Sequence, residues 1–420
     1  RYANDPTQYV AEGYFSEWDG RQYYAVTAND NRTLEIWDAD DLKEFADVVN
    51  GGKADQNAVL MADINLISIS NWTPIGNSSI PYKGTFEGNG HSIENLKVNI
   101  PEKRAGLFGG LGDGGVIRNV HIKSGSIVGR VAGGIVGYSD GVIEDCSNAA
   151  DVTGEDAGGI AGSMKQSVLG PDGRYYIDAA DVYAVRCANS GNITGKVVYG
   201  VGLRVHDSYN TGKLTSTNGN LYGVGSSGEG KNCYNFGPII PASDYYYVVY
   251  HPELLNGKGD KLTSPDNNYY LSSLSPGKDS ESTAKTAAQF ASGEVAYLLN
   301  GNKDAPNGPY YQNLTGPNAD PYPVLDPTHA AVYKVGNQYV NYSYTENFAP
   351  IDLITVDGGV TMEQMVKLLR EKLPKTIKVS STGGSPSSAA VTRTITARRD
   401  LKSMVMLVSP VCWVAGTSRL

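Results

Sequence analysis

The stretch AGGIVGYSDGVIEDCSNAADVTGEDAGGIAG, residues 132–162, nearly repeats itself after 25 residues. A self-similarity of that period constrains the fold more than any other feature of the chain. Aligned on the cysteine inside it, the segments SIENLKV, VIRNVHI, VIEDCSNAADVTG, AVRCANSGNITG, VHDSYNTGKLTS and KNCYNFGPII share a column at Leu96, Val120, Cys146, Cys187, Ser208 and Cys233. The steps are 24, 26, 41, 21 and 25 residues, so the long step carries an insertion. A second column, small-Gly-apolar-Gly, starts at Arg104, Val131, Asp156, Val198 and Leu221. Each repeat thus reads as three short strands with glycine at the corners, which is what one coil of a β-solenoid requires.

Other repeat folds fit less well. Helical repeats need long stretches of 3.6 period, and residues 104–240 hold none uninterrupted by glycine. The leucine ladder of leucine-rich repeats is absent, and a parallel β-helix suits the pattern better than a propeller or a sandwich. The expected fold is mainly β: a right-handed parallel β-helix, or solenoid, with coils about 4.8 Å apart and the column residues stacked in its interior. Two residues further on, Asn148, Asn189, Asn210 and Asn235 form a second ladder. Asparagine tolerates left-handed backbone at a corner, and stacked amides can bond to one another and to the turn.

Ahead of the coils, IWDADDLKEFADVVNGG at 36–52 predicts a capping helix. Asp38 is its N-cap, Leu42, Phe45, Ala46 and Val49 share a face, and Gly51 ends it. Such a helix is expected to cover the open end of the core, where an uncapped coil exposes apolar side chains and unpaired strand edges. AVLMADINL at 58–66 reads as the first buried strands. After Ile240 the repeat fades into a C-terminal α+β capping region. NNYYLSS at 267–273 places Tyr269 in the cysteine column, TAAQFASGEVAYLLNG at 286–301 reads as one helix with Phe290, Val295 and Leu298 apolar, and DPYPVLD at 320–326 closes the region with prolines. TMEQMVKLLREKL at 361–373 predicts a third helix. The expected organisation is an extension at 1–33, the helix and first strands at 34–66, the solenoid at 67–240, the cap at 241–345, and at 346–420 a linker, the short helix and a basic tail. That tail carries Arg393, Arg398, Arg399, Lys402 and Arg419 against the single acid Asp400 from residue 383 onward, and reads as readily as a foreign segment as it does as a domain.

Composition narrows the partners. Fifty glycines and 28 tyrosines against seven phenylalanines describe a turn-rich β protein with amphipathic aromatic surface. A formal charge of −9 offers no basic footprint for a phosphate backbone, which argues against nucleic acid. The longest apolar run, MVMLVSPVCWVAG at 404–416, is too short to span a membrane and contains proline. Arg1 stands where a methionine is usual, so a leader has been removed or the chain is a fragment. A monomer is expected.

In order and spacing, LEIWDADDLKEFADVVNGG, AVLMADINL, NWTPIGNSSIPYKGTFEGNGHSIENLKV, AGLFGGL and VIRNVHI resemble bacterial surface proteins carrying the GLUG motif. The resemblance covers about residues 34–240, and SGEVAYLLNG with DPYPVLD looks like their closing segment. Its most specific element is Phe86, Gly88, Asn89, Gly90, His91 and Ile93. The resemblance implies a secreted or surface-displayed, adhesin-like solenoid, also found as an accessory region of some immunoglobulin A peptidases. The peptidase chemistry needs an HExxH helix, and none of His91, His121, His206, His251 or His329 begins one.

Candidate chemistry is sparse. Cys146, Cys187 and Cys233 lack the close pairing of zinc ligands and are expected as free interior thiols, and His91 is expected to pack beside its turn. No cofactor is expected; Asp113 and Asp140 give only a faint calcium signal, because such repeats need Asp in successive turns. Glu94, Arg118 and Glu144 fall in one column of neighbouring coils, which suits either a solvated ion-pair ladder or the carboxylates of a polysaccharide lyase or glycoside hydrolase. The insertion MKQSVLGPDGRYYIDAAD at 164–181 offers Arg174, Tyr175, Tyr176 and Asp178, suited to a sugar or protein surface, and DYYYVVY at 244–250 is a second tyrosine patch. The preferred reading is non-catalytic binding of an extracellular glycan or a host or cell-surface protein. A carbohydrate-active enzyme and a purely structural stalk remain its alternatives.

Overall fold

Each repeat supplies several short β-branched runs broken by glycine or Asx residues, and in the computed structural model each run becomes one strand of a different parallel sheet. The structure describes residues 33–164, 183–226, 230–251, 267–301 and 308–341. It also describes, as backbone, the strands Phe15–Glu17, Gln22–Tyr24, Val168–Leu169, Tyr175–Tyr176, Tyr344–Thr345, Thr376–Ser381, Ser387–Asp400 and Ser403–Cys412. Two units divide the chain, residues 1–329 and 330–420.

The repeat from Val142 to Met164 shows the plan. Val142–Glu144 lies in a seven-stranded first sheet, Ser147–Asn148 in a nine-stranded second sheet, Asp151–Gly158 in an eight-stranded third sheet and Ala161–Met164 in a three-stranded fourth sheet. Neighbours in all four sheets are parallel, so Ile143 lies beside Ile117 and Ala184, and Val152 beside Ile127 and Ile193. These side chains, with Ile122, Ile135, Ile160, Val201 and Val224, are buried in one continuous core. Each contributes about 1.5–3 kcal/mol relative to exposure. The fold is therefore mainly β and β-helix-like. Corners are tight: a Cβ on Gly191 would sit 2.0 Å from the Ala150 carbonyl oxygen, and Gly212 and Gly237 meet the coil before them in the same way.

Helix α1 spans Ala39–Asn50 and begins as its sequence predicts, with Asp38 accepting from the amides of Asp40 and Asp41. Leu42, Phe45, Ala46 and Val49 are its buried residues, and Phe45 packs edge-on to Tyr82 and tilted against Phe86. The segment expected as one helix at 286–301 is two, α2 at Ala287–Ala291 and α3 at Glu294–Leu299. Gly293 adopts φ 88° between them, and a left-handed residue cannot continue a helix. Phe290, Val295 and Leu299 then join Tyr234, Tyr269 and Tyr310 in a second apolar cluster on the second sheet. There Tyr310 donates its hydroxyl to the Asn232 carbonyl at 2.5 Å and Tyr234 donates to the Pro323 carbonyl. The helix expected at 361–373 lies outside the described residues. In the unit 330–420, Tyr333–Val335 pairs with Gln338–Val340, and four antiparallel strands run from Tyr344 to Cys412.

Strand register corrects three alignments made from the sequence. Leu96 does not share the column of Val120: Leu96 pairs with Gly125, whereas Ser92 pairs with His121. The cause is a second left-handed asparagine: Asn95, between the second and third sheets, has φ 60° and resembles Asn119, φ 55°, between the first and second, so NLKV imitates NVHI from one strand further on. Tyr269 pairs with Tyr234, which puts Asn268 and not Tyr269 in line with Cys233. Val197 continues the row of Arg104, Val131 and Asp156, while Val198 and Leu221 continue that of Ala157. One limb of the third sheet ends at Ile239–Ile240, bracketed by Pro238 and Pro241, with Ile240 51% exposed, and the other at Tyr246–Tyr247.

Candidate functional site

Six successive strands of the second sheet are each entered through a residue, two positions before the strand, that is held left-handed. Asn119, Asp145, Arg186, Asp207, Asn232 and Asn267 have φ of 55°, 52°, 51°, 50°, 54° and 65°. Asn and Asp accept that region most easily among residues with a Cβ, which explains why five of these six positions in otherwise different repeats are asparagine or aspartate. Arg186 is the exception. This corner, not the asparagine ladder two residues beyond the cysteines, is where left-handed backbone is needed.

Side chains on the corner bond up and down the stack. Asn267 donates to Asn232 Oδ1 at 2.8 Å, and Asn232 to Asp207 Oδ1 at 2.7 Å. Arg186 grips both oxygens of Asp145 at 2.6 and 2.7 Å, with Glu144 4.0 Å from the same guanidinium. Asn119 donates to Glu87 at 2.8 Å, and Arg118 donates to the other Glu87 oxygen at 2.6 Å. The hydrogen bonds and charge of Asp145 raise the guanidinium pKa of Arg186 above its ordinary value.

Of the predicted acidic column, Arg118 and Glu144 are brought together on adjacent strands of the first sheet, and Glu94 is not. Glu94 ends the second-sheet strand Ser92–Glu94 and lies beside Asn65, while Glu87 takes the place beside Arg118. The likeness of Asn95 to Asn119 explains the displacement. On this face Arg118 is bonded to Glu87 and Arg186 to Asp145, and Glu144 lies 4.0 Å from the Arg186 guanidinium.

Directly inside the corner, the column Val120, Cys146, Cys187, Ser208, Cys233 and Asn268 faces the core. Cys146 donates its thiol to the Glu144 carbonyl at 3.1 Å, Cys187 to Val185 at 3.4 Å and Cys233 to Lys231 at 3.3 Å. Ser208 makes the equivalent bond to His206 at 2.8 Å, which shows why serine substitutes for cysteine here. The three thiols are free and buried, and burial pushes those of Cys146 and Cys233 up, so they are poor nucleophiles. Beside them the interior asparagines bond in one direction, Asn148 to Asn189 at 3.0 Å, Asn189 to Asn210 at 2.7 Å and Asn210 to Asn235 at 2.9 Å. Each of the three also donates to the carbonyl two residues on.

The long step between Cys146 and Cys187 leaves the fourth sheet after Met164 and re-enters the first at Tyr183. Within it Tyr175–Tyr176 pairs antiparallel with Val168–Leu169, while Arg174 and Asp178 lie outside the described residues. At the re-entry point Tyr183 and His206 present their rings to each other, centroids 5.4 Å apart. The second tyrosine patch is mostly internal: Tyr246, Tyr247 and Tyr250 are buried, and Tyr245 is 47% exposed. Sequence reasoning missed the stack they join, where Tyr199, Tyr222 and Tyr247 lie face to face at 5.2 and 5.8 Å. The signal was present as tyrosine in VYG and LYG at the position that AGG fills with glycine.

Two carboxylates of the faint calcium signal, Asp113 and Asp140, sit in turns of adjacent coils, and no group of three or more His, Cys, Asp or Glu able to hold a metal occurs among the described residues. No described helix is long and apolar enough to cross a membrane. No protein-family model and no solved structure matches the chain. Part of it is similar to Halomucin of Haloquadratum walsbyi, with 33% identity over 163 residues, an alignment that takes in 36% of this chain and 2% of Halomucin. The chain therefore spans only a small fraction of that relative's length.

Proposed function

We propose that the chain is a non-catalytic, secreted or cell-surface solenoid of adhesin-like type that binds an extracellular glycan or protein. In this reading the parallel sheets form a right-handed β-helix of GLUG-type repeats, α1 covers its first coil and residues 241–345 cap its last. One observation carries the proposal: a stack with strands in register is interrupted between Met164 and Tyr183 by an 18-residue segment that carries Tyr175 and Tyr176. Long segments leaving rigid scaffolds are the usual carriers of binding. Arg174, Tyr175, Tyr176 and Asp178 are the proposed contacts. The similarity to Halomucin supports a place at the cell surface.

The engagement of Glu87 by Arg118 and of Asp145 by Arg186 favours binding over polysaccharide cleavage, because hydrolysis needs a free acid and a free base across the scissile bond. A glycan array and a panel of extracellular matrix proteins, probed with the intact chain and with residues 165–182 deleted, test the proposal. Binding that disappears on deletion supports it. Binding that survives deletion removes the loop as the site, and depolymerisation of an acidic polysaccharide that is lost on Glu144→Gln would turn the reading to an enzyme.

A further inference from the structure

Six Asn-X-Ser/Thr triplets occur in the chain, beginning at Asn31, Asn71, Asn77, Asn192, Asn313 and Asn341. Such a triplet can accept an N-linked oligosaccharide only if the amide nitrogen and the residues around it can enter an enzyme's cleft. The fold separates them by that criterion.

Four of the six are tied down. Asn71 is exposed, but its Oδ1 accepts from the Asn99 amide at 2.7 Å and the next residue, Trp72, is buried with its indole bonded to the Leu107 carbonyl at 3.0 Å. Asn192 donates Nδ2 to Asp151 at 2.9 Å, and Ile193 is a buried strand residue paired on both sides. Asn313 is part-buried, with Nδ2 3.1 Å from His329 Nδ1. Asn341 donates Nδ2 to the Ala331 carbonyl at 3.2 Å. Asn31 lies outside the described residues.

Asn77 differs from all of these. Asn77, Ser78 and Ser79 are all exposed, in a turn closed by the Asn77 amide donating to the Ile80 carbonyl at 2.9 Å. The side-chain oxygen of Asn77 accepts from the amides of Ser79 and Ile80 at 2.9 and 3.0 Å, and its Nδ2 has no partner among the described residues. The turn is anchored at each end by buried side chains, Ile75 and Tyr82, so it stands out from the fold without being part of a strand.

We propose that Asn77 is a site of N-glycosylation. The donor is a lipid-linked oligosaccharide presented by an oligosaccharyltransferase. Asn77 Nδ2 forms a bond to C1 of the first sugar as the bond from C1 to the phosphate oxygen breaks; the lipid phosphate leaves with the electron pair, and one amide proton passes to solvent. In the cell this rests on the surface location proposed above, because the donor is met only on export.

The chemistry is tested apart from export by incubating the folded, purified chain with a single-subunit oligosaccharyltransferase and its lipid-linked donor, a short acceptor peptide serving in the same tube as the control. Peptide mapping is expected to find the glycan mass on the peptide containing Asn77, and to find it lost in Ser79→Ala, which leaves the asparagine and its turn in place. Asn77→Gln provides a second variant with the same expected loss. A bare Asn77 in a reaction that modifies the control peptide overturns the proposal, as does equal occupancy at Asn192 or Asn313. Failure of the surface location would appear instead as in vitro modification of a protein that is never recovered outside the cell.

Discussion

Asn148 and Asn189 are 41 residues apart in sequence, yet the amide of the first donates to the side-chain oxygen of the second at 3.0 Å inside the core. Their backbones are paired in register on adjacent strands, and the chain between them includes the whole insertion. A buried polar row of this kind is favourable only while each member is satisfied. Asn235, the last of the row, has no partner for its Nδ2 among the described residues.

Replacing Asn189 therefore has a cost that depends on what replaces it. Asn189→Ala leaves the Gly191 carbonyl and Asn210 Oδ1 without their donor and is expected to destabilise by about 1–3 kcal/mol. Asn189→Asp costs more at neutral pH, since a carboxylate is then aimed at two acceptors. Burial raises its folded pKa above the unfolded value of about 3.9, so the folded form binds the proton first and stability is regained as the pH falls from that raised value to about 3.9. Denaturant unfolding of both variants across pH checks the order and its narrowing in acid.

The interior thiols should be silent until the fold opens. Alkylation in native buffer, followed by peptide mapping, is expected to leave Cys146, Cys187 and Cys233 unmodified, and the same reagent in denaturant to label all three. Labelling of Cys187 in the native protein at the rate of a free thiol would contradict its burial.

Arg186 holds a backbone conformation that favours asparagine, and it also bridges Asp145. Arg186→Asn is expected to fall within about 1 kcal/mol of the parent, exchanging a half-buried ion pair for an easier backbone. Arg186→Val loses the bridge and adds a β-branched residue at positive φ, and should lower the melting temperature clearly more. Thermal unfolding of the pair measures the difference.

His121 sits on the second sheet with Nδ1 2.9 Å from Ser147 Oγ, under the influence of Lys123, Asp145 and Asp326. Burial lowers its pKa below the ordinary value, with the two aspartates opposing and Lys123 assisting. The unfolded chain then takes up a proton near pH ~6.5 that the folded chain refuses, so stability falls as the pH drops from that value toward the folded pKa. His121→Asn should flatten this part of the profile, read from denaturation midpoints at pH ~7.5 and ~5.5.

Periodicity carried the broad architecture because stacking demands it: from Cys146 to Cys233 each column residue read from the sequence falls in register. Helix α1 was legible for a local reason, its cap and apolar face lying within a dozen residues. Register before Val120 was not, because NLKV and NVHI each begin at a left-handed asparagine while belonging to different sheets. Glu94 was misplaced by that slip. The Asx corner one residue before the cysteines was visible in END-to-end comparison of NV, DC, DS and NC, but Arg186 broke the pattern. Solvent-facing contacts such as Tyr183 with His206 depend on where an insertion returns, which no local pattern encodes.

Parallel strands stacked in register are also the geometry of a growing fibril, in which every free end is a template for the next chain. One limb of the third sheet finishes on half-buried Ile239 and exposed Ile240, an edge of the kind that recruits one. Pro241 lacks the amide hydrogen that an incoming strand would need, and Pro238 has already committed its carbonyl to Leu214. The two prolines thus remove one donor and occupy one acceptor at that edge, which disfavours growth of the sheet from copy to copy.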